Sequence, residues 1–294
     1  MKNHDAISNS PNLRSSDIER TELKYAVSEE TALDVLRWSR VFIKGDCISQ
    51  RVTSLYLDTP TLRFLRWQLD GCVDRFKLRV RGYGDELGDR LYLEVKRKTG
   101  DIVRKQRAEI PTTALSAVLG ATVSVVEQVL GDNRSEALRS FLNKRAAFHA
   151  EPKILVSCQR QSLRESSVNG EVAVTVDRDI RYQQSCRRDL ISDALAWESV
   201  SLPGPVGPKG AIIELKYSSG PPQWMRTLTA RLDPHHVNFS KYKAAMLQQA
   251  ERNSGYSLGA AACTVTDDRV GSYAYSVRPG TFLPEIGSKG VFLA

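Results

Sequence analysis

No stretch of this sequence approaches 18 consecutive apolar residues, so it offers no membrane-spanning helix. Its opening residues, MKNHDAISNSPNLRSSD, hold no apolar run of the kind a secretory signal needs. Cysteine is scarce: Cys47, Cys72, Cys158, Cys186 and Cys263 are scattered and odd in number, with no CxxC and no Cys/His cluster. That spacing excludes a disulfide framework and a structural zinc site, and fits thiols kept reduced. No Ser, Cys or His stands at a spacing that suggests a nucleophile with its base. Repeats of solenoid length are absent too. The expectation is a cytoplasmic protein with no membrane span of its own, compatible with a membrane-bound partner.

Positive charge is what the chain has in excess. Its 42 Lys and Arg exceed 34 Asp and Glu, for a net charge of +8 and a pI near 9.3. Such a balance favours polyanionic partners: nucleic acid, nucleotide, polyphosphate or an anionic membrane surface. It sets no oligomeric state.

Composition divides the 294 residues into three parts. Residues 1–17 are polar and rich in Asn and Ser, as a disordered leader is. Residues 253–294 carry Gly, Ser and Ala with little apolar periodicity and read as a loosely ordered tail. Residues 18–252 read as one domain. Strands are expected over 19–27, 53–58, 73–83, 90–98, 101–110, 153–164, 171–181 and 210–218. Thr99-Gly100 and Asn169-Gly170 mark hairpin turns. Helices are expected after the cap Ser28, over 61–70, over 112–148, over 222–232 and over 240–252. The His235-His236 pair follows Asp233-Pro234 and reads as a solvated turn rather than a metal site.

The strands put their charge on one face. Residues two apart in a strand point the same way. Arg75, Lys77, Arg79 and Arg81 therefore oppose Phe76, Leu78 and Val80. Tyr92, Glu94, Lys96 and Lys98 oppose Leu91, Leu93 and Val95. Lys105, Arg107 and Glu109 align, as do Arg20, Glu22 and Lys24; Asp177, Asp179 and Arg181; and Glu214 with Lys216. For a single strand, a solvated outer face accounts for this. Across the set, Arg and Lys recur in register, and four like charges down one strand repel unless an anion lies among them. The helices also need an apolar sheet surface to pack on. Both requirements are met by an α+β fold: a closed antiparallel eight-stranded β tunnel barrel with a charged interior and helices packed outside. Arg and Lys suit phosphate oxygens. A carboxylate among them suits Mg²⁺ or Mn²⁺, which take one or two carboxylates plus substrate phosphates, so Glu22, Glu94 and Glu214 are metal candidates.

At this point the residues resemble the triphosphate tunnel metalloenzymes (the CYTH-like superfamily), and within them the VTC polyphosphate polymerase domain. The likeness covers roughly residues 18 to 250. It is carried in order by Arg20-Thr-Glu22-Leu-Lys24-Tyr25, Ser54-Leu-Tyr56-Leu-Asp58-Thr59-Pro60, Lys77-Leu-Arg79-Val-Arg81-Gly-Tyr83, Leu93-Glu94-Val-Lys96-Arg-Lys98 with Lys105-Gln-Arg107, Glu214-Leu-Lys216-Tyr217 and Phe239-Ser240-Lys241-Tyr242. The resemblance implies that Lys24, Arg79, Arg81, Lys96, Lys105, Arg107, Arg160, Lys216 and Lys241 bind substrate phosphates. Arg79, Arg81, Lys96 and Lys241 would be catalytic among them. Glu214 would hold Mn²⁺ or Mg²⁺, with Glu22 assisting. Arg164 shares the face of Arg160 and competes with it for that place. The hydrolytic branch opens with E-x-E-x-K, whereas this chain has R-x-E-x-K from Arg20, which favours the polymerase-like branch. The implied activity is a metal-dependent phosphoryl transfer that extends polyphosphate from ATP. A tripolyphosphatase and a non-catalytic polyanion binder are the competing readings. Few aromatics lie on the charged faces, which argues against nucleic acid as the partner.

Overall fold

Alternation of charged and apolar side chains gives each strand one face for a core and one for charge. In the computed structural model, which describes residues 21–254 apart from 86–87, 101, 122–125, 127–134, 168–169, 186–189 and 191–196, that alternation builds one antiparallel sheet. Its strands are β1 (Thr21–Val27), β2 (Ile48–Asp58), β3 (Asp74–Tyr83), β4 (Arg90–Thr99), β5 (Ile102–Pro111), β6 (Glu151–Ser167), β7 (Gly170–Gln184), β8 (Glu198–Ser199) and β9 (Ala211–Tyr217). They lie in the order β1-β9-β7-β6-β2-β3-β4-β5, with β8 paired to β7 off that path. The expected leader, Arg20, Cys186, Cys263, Asn169 and the tail beyond Ser254 fall outside the described residues.

Among the described residues the antiparallel sheet with its helices is as expected, but it does not close into an eight-stranded barrel. The sheet has nine strands, and among the described residues no backbone ladder joins its edges, β1 and β5. The sheet curls all the same. A strand spacing of about 4.8 Å would put β1 and β4, six steps apart along the path, roughly 29 Å apart in a flat sheet. Instead Lys96 Nζ on β4 lies 2.7 Å from Glu22 Oε2 on β1. Among the described residues a side-chain ion pair, Lys96–Glu22, spans the mouth of the curl.

The helices are α1 (Glu29–Ser39), α2 (Arg63–Leu69), α3 (Leu115–Gly120), α4 (Glu136–Ala147), α5 (Gln223–Leu232) and α6 (Lys241–Ser254). Ser28 caps α1 as expected, its Oγ accepting from Thr31 N at 3.1 Å. The single helical stretch expected over 112–148 is broken. A 3₁₀ turn leads into α3, Ala121 is extended, and Ser135 caps a new helix by accepting from Leu138 N at 3.2 Å.

Three apolar clusters follow from this layout. On the outer face of β3–β5, Leu78, Val80, Leu93 and Ile110 pack under α3 and α4 through Val118, Leu138, Phe141 and Leu142. On the outer face of β1, β7 and β9, Val174, Ile213 and Leu215 pack under α1 and α5 through Val35, Leu36, Met225 and Leu228. The third cluster corrects the expectation that all helices lie outside. Ala26, Val52, Val156 and Ile212 share the strand faces that carry the charge, and α6 covers them with Tyr242 and Ala245. Charge does not run the full length of the inner face. Its apolar end needs a lid, and α6 supplies it.

Asp58 ties this lid to the sheet. Its buried carboxylate accepts from Thr59 N (2.7 Å), Phe64 N (2.9 Å) and Leu65 N (2.9 Å) at the start of α2, and from the Tyr242 hydroxyl of α6. Replacing it by Ala strands four buried donors. Asp58→Ala is expected to cost about 3 kcal/mol of stability in chemical denaturation, and Tyr242→Phe about 1 kcal/mol. A loss below about 1 kcal/mol for Asp58→Ala would refute the anchor.

Candidate functional site

The charged half of the inner face holds two clusters. The first centres on Glu94, which is fully buried on β4. Arg79 on β3 reaches its Oε2 through Nη2 and Nε, both at 2.6 Å. Lys105 on β5 lies 2.6 Å from Oε1. Arg107 and Arg81 stand farther off, at 3.8 and 3.9 Å. The cross-strand register explains the convergence, since Glu94 is paired with Arg79 on one side and Arg107 on the other. Each arginine has a second anchor. Arg79 Nη1 donates to the Tyr56 hydroxyl (3.2 Å), Arg81 Nε donates to Ser54 Oγ (3.1 Å), and Arg107 lies 3.6 Å from the Tyr92 ring centre.

The second cluster joins β1, β6, β7, β9 and the start of α6. Glu214 on β9 lies 2.7 Å from Lys216, 3.9 Å from Lys24 and 4.0 Å from Lys241 and from Arg160. Glu22 holds Lys96 at 2.7 Å and Lys216 at 3.7 Å. Asp177 on β7, fully buried, takes a two-point fork from Arg160 (2.6 and 2.6 Å) and a contact from Lys241. The Lys96–Glu22 pair connects the two clusters across the curl.

The electrostatics are those of a chamber short of negative charge. Burial pushes Glu22 and Glu214 up, but the surrounding lysines more than offset it: Glu22 falls to about 2 and Glu214 well below the usual carboxylate range. Burial likewise works against Glu94, and Arg79, Arg81 and Lys105 hold it well below 4.5. Partial burial lowers Lys105, and Arg79 and Arg81 oppose the help it receives from Glu94. Four carboxylates, Glu22, Glu94, Asp177 and Glu214, face more than twice as many Lys and Arg side chains.

Among the described residues no three His, Cys, Asp or Glu side chains converge as a ready metal cage. Glu22 and Glu214 are ionised oxygen donors that feel each other's charge. Two carboxylates of this kind fit Mg²⁺ or Mn²⁺ completed by substrate phosphates. Glu94, also a metal candidate from its strand, is saturated by cations and serves to hold Arg79 and its neighbours.

The structure brings Lys24, Arg79, Arg81, Lys96, Lys105, Arg107, Arg160, Lys216 and Lys241 together with Glu22 and Glu214. It separates others. Arg164 is exposed, so Arg160 takes the inner place. Asp179 and Arg181 do not align with Asp177. The β6–β7 register shifts between Ser157 and Gln159, Asp179 adopts φ 48°, and the two pair with each other at 3.1 Å, away from the clusters.

Comparison with known proteins places the chain. Residues 19–249 match the family profile described as the VTC domain. The chain belongs to the VTC domain family. No curated protein matches it. Solved structures with a similar arrangement are distant. One is an adenylyl cyclase candidate from Hippeastrum described as having a dominant triphosphatase activity, at 13% identity, 83% of this chain, 99% of that chain and TM-score 0.42. Another is an adenylate cyclase candidate from Bacillus halodurans, at 14% identity, 77% and 96% coverage and TM-score 0.40. A protein from Pyrococcus horikoshii matches at 11% identity, 78% and 99% coverage and TM-score 0.38.

In this VTC domain the sequence reading missed several working side chains. Asp177 is the counter-ion of Arg160 and Lys241; its strand alternation placed it inside, but nothing in the sequence named its partners. Ser54 and Tyr56 position the paired arginines, and both stood in the quoted motif without a role. Ser240 accepts from Lys77 at 2.9 Å.

Proposed function

We propose that this VTC domain is a metal-dependent phosphoryl transferase that extends polyphosphate from ATP bound along its basic inner face. One observation carries this reading: Lys and Arg side chains from seven elements, most of them half-buried, converge on one chamber, where carboxylates balance fewer than half of them. A linear polyphosphate supplies evenly spaced charge that such a chamber lacks. Isolated phosphate would neutralise only one end.

Arg79 and Arg81 lie preformed against Glu94, Tyr56 and Ser54, so they meet the phosphates without reorganising. Arg160 and Lys241, held by Asp177, would neutralise charge on the transferred γ-phosphoryl group. An oxygen of the chain's terminal phosphate attacks the γ-phosphorus, the bond to the bridging oxygen breaks, and ADP leaves with that oxygen. Glu214 and Glu22 would hold Mg²⁺ or Mn²⁺, which would supply positive charge to offset that of the phosphates.

The test is product analysis. The protein is incubated with ATP and Mn²⁺, and the products are resolved by chain length. Polyphosphate supports the proposal. Orthophosphate alone would assign water as the acceptor and make the protein a tripolyphosphatase. Glu214→Ala is expected to lower turnover by about 10²-fold or more without unfolding the chain. Activity equal to that of Glu214→Ala in every preparation would overturn the enzyme reading and leave a binding module.

A further inference from the structure

Lys77 shares its face of β3 with Arg79 and Arg81 yet differs from both. Among the described residues no carboxylate forms an ion pair with it. Its Nζ donates to Ser240 Oγ at 2.9 Å, and that hydroxyl lies 3.4 Å from Gln68 Oε1 of α2. The charged groups that act on it most are cations: Lys24 from β1, Lys96 from β4, and Arg79 and Arg75 from β3 itself, while the Glu22 carboxylate is engaged by Lys96 and Lys24. Ser240 and Gln68, from the elements that close the remaining sides, are neutral. Lys24 lies against the same corner by donating to Phe239 O at 3.0 Å. A charge in this setting is repelled from several directions and, among the described residues, held by no ion pair.

Arginine at this place would stay charged at any cost to the fold, because a guanidinium does not give up its proton. A lysine can. Burial, reinforced by Lys24, Lys96, Arg79 and Arg75, pushes the Lys77 amine well below its ordinary value. Only an arriving anion supplies the missing counter-charge.

We propose that Lys77 is a phosphate contact of the chamber, gripping the polyanion beside Ser240 and Lys24, and that it gains its proton as the polyanion arrives. This rests on the chamber binding polyphosphate. The sign follows from linkage. If the amine is neutral when empty and an ammonium when occupied, binding takes up a proton and strengthens as pH falls toward neutrality. Wild type thus takes up more protons than a variant that lacks the amine, and that difference is independent of the protons carried by the ligand.

The experiment is calorimetric titration of the full chain with sodium tripolyphosphate, without metal, at pH 8. It is run in two buffers of different ionisation enthalpy, neither of them phosphate. Lys77→Met is expected to bind about tenfold more weakly and to take up close to one proton fewer than wild type. Lys77→Arg, which carries a permanent charge, is expected to recover most of the affinity while still lacking that proton. Thermal melts of both variants confirm folding. Equal affinity or equal proton uptake in wild type and Lys77→Met overturns the inference and leaves the chamber reading intact. If wild type itself binds no tripolyphosphate, both readings fall together.

Discussion

Replacing Glu94 by Gln is expected to destabilise the folded protein by about 3–5 kcal/mol, the scale for removing one partner of a buried ion pair. Glu94 is fully buried and answers to Arg79 and Lys105 at 2.6 Å, with Arg107 and Arg81 just beyond. Its amide replacement leaves those cations facing one another. Lys105 is 41% exposed, so water screens part of its share, and the larger part of the loss comes from the arginines. Tripolyphosphate should reverse much of the loss, because a ligand that binds only the folded state adds stability as its concentration rises above Kd. The pH dependence follows from the same group. Glu94 titrates well below its ordinary value in the folded state, and Glu22 at about 2. A carboxylate with a depressed folded pKa stabilises above its unfolded value, near 4.5, and loses that contribution as pH falls toward the folded one. Wild-type stability should therefore fall between pH 4.5 and about 2, and Glu94→Gln should fall less steeply. Denaturant melts across that range measure both effects. An unchanged midpoint for Glu94→Gln at pH 7 would show that the four cations do not depend on it.

How far the sequence could be read is visible in particular residues. The faces of β3 and β4 were legible, because Lys77, Arg79 and Arg81 alternate with Leu78 and Val80, and period two needs no knowledge of neighbours. Neighbour order was not legible. Closure depends on whether β1 meets β5, two strands about 80 residues apart, and alternation along each says nothing about the gap between them. The same limit hid the lid. The apolar side chains of α6 could have packed on either face, and only Ala26, Val156 and Ile212, brought together from three strands, show that they pack inside. It also hid the difference between Glu94 and Glu214. Each is a single glutamate in a basic strand. What distinguishes them is the register: Arg79 and Arg107 stand directly opposite Glu94, whereas Glu214 stands opposite Lys24 and Thr175 and within reach of a second carboxylate. The turn at Asp179 breaks alternation by one residue, and a backbone irregularity of that size leaves no mark in hydropathy.

Arg79→Ala should have the opposite balance of effects from Glu94→Gln: a large loss of turnover and a small change in stability. Arg79 is clamped at all three nitrogens, with Nε and Nη2 on Glu94 and Nη1 on the Tyr56 hydroxyl. That clamp fixes where its charge meets a phosphate, and preorganised charge of this kind is worth about 10²- to 10³-fold in rate. Its loss relieves the chamber of one cation while Glu94 keeps Arg81, Lys105 and Arg107, so the fold loses little. Lysine should not rescue the rate. A single ammonium cannot hold Glu94 and Tyr56 while also facing the ligand, so Arg79→Lys is expected to stay at least 10-fold below wild type. Tyr56→Phe removes one point of the clamp and should lower turnover by a smaller factor, about 3- to 10-fold. Steady-state rates with ATP, read beside denaturant melts of the same preparations, separate the two quantities. Turnover within threefold of wild type in Arg79→Ala would move the phosphate grip away from β3 and onto the Arg160–Asp177–Lys241 side of the chamber.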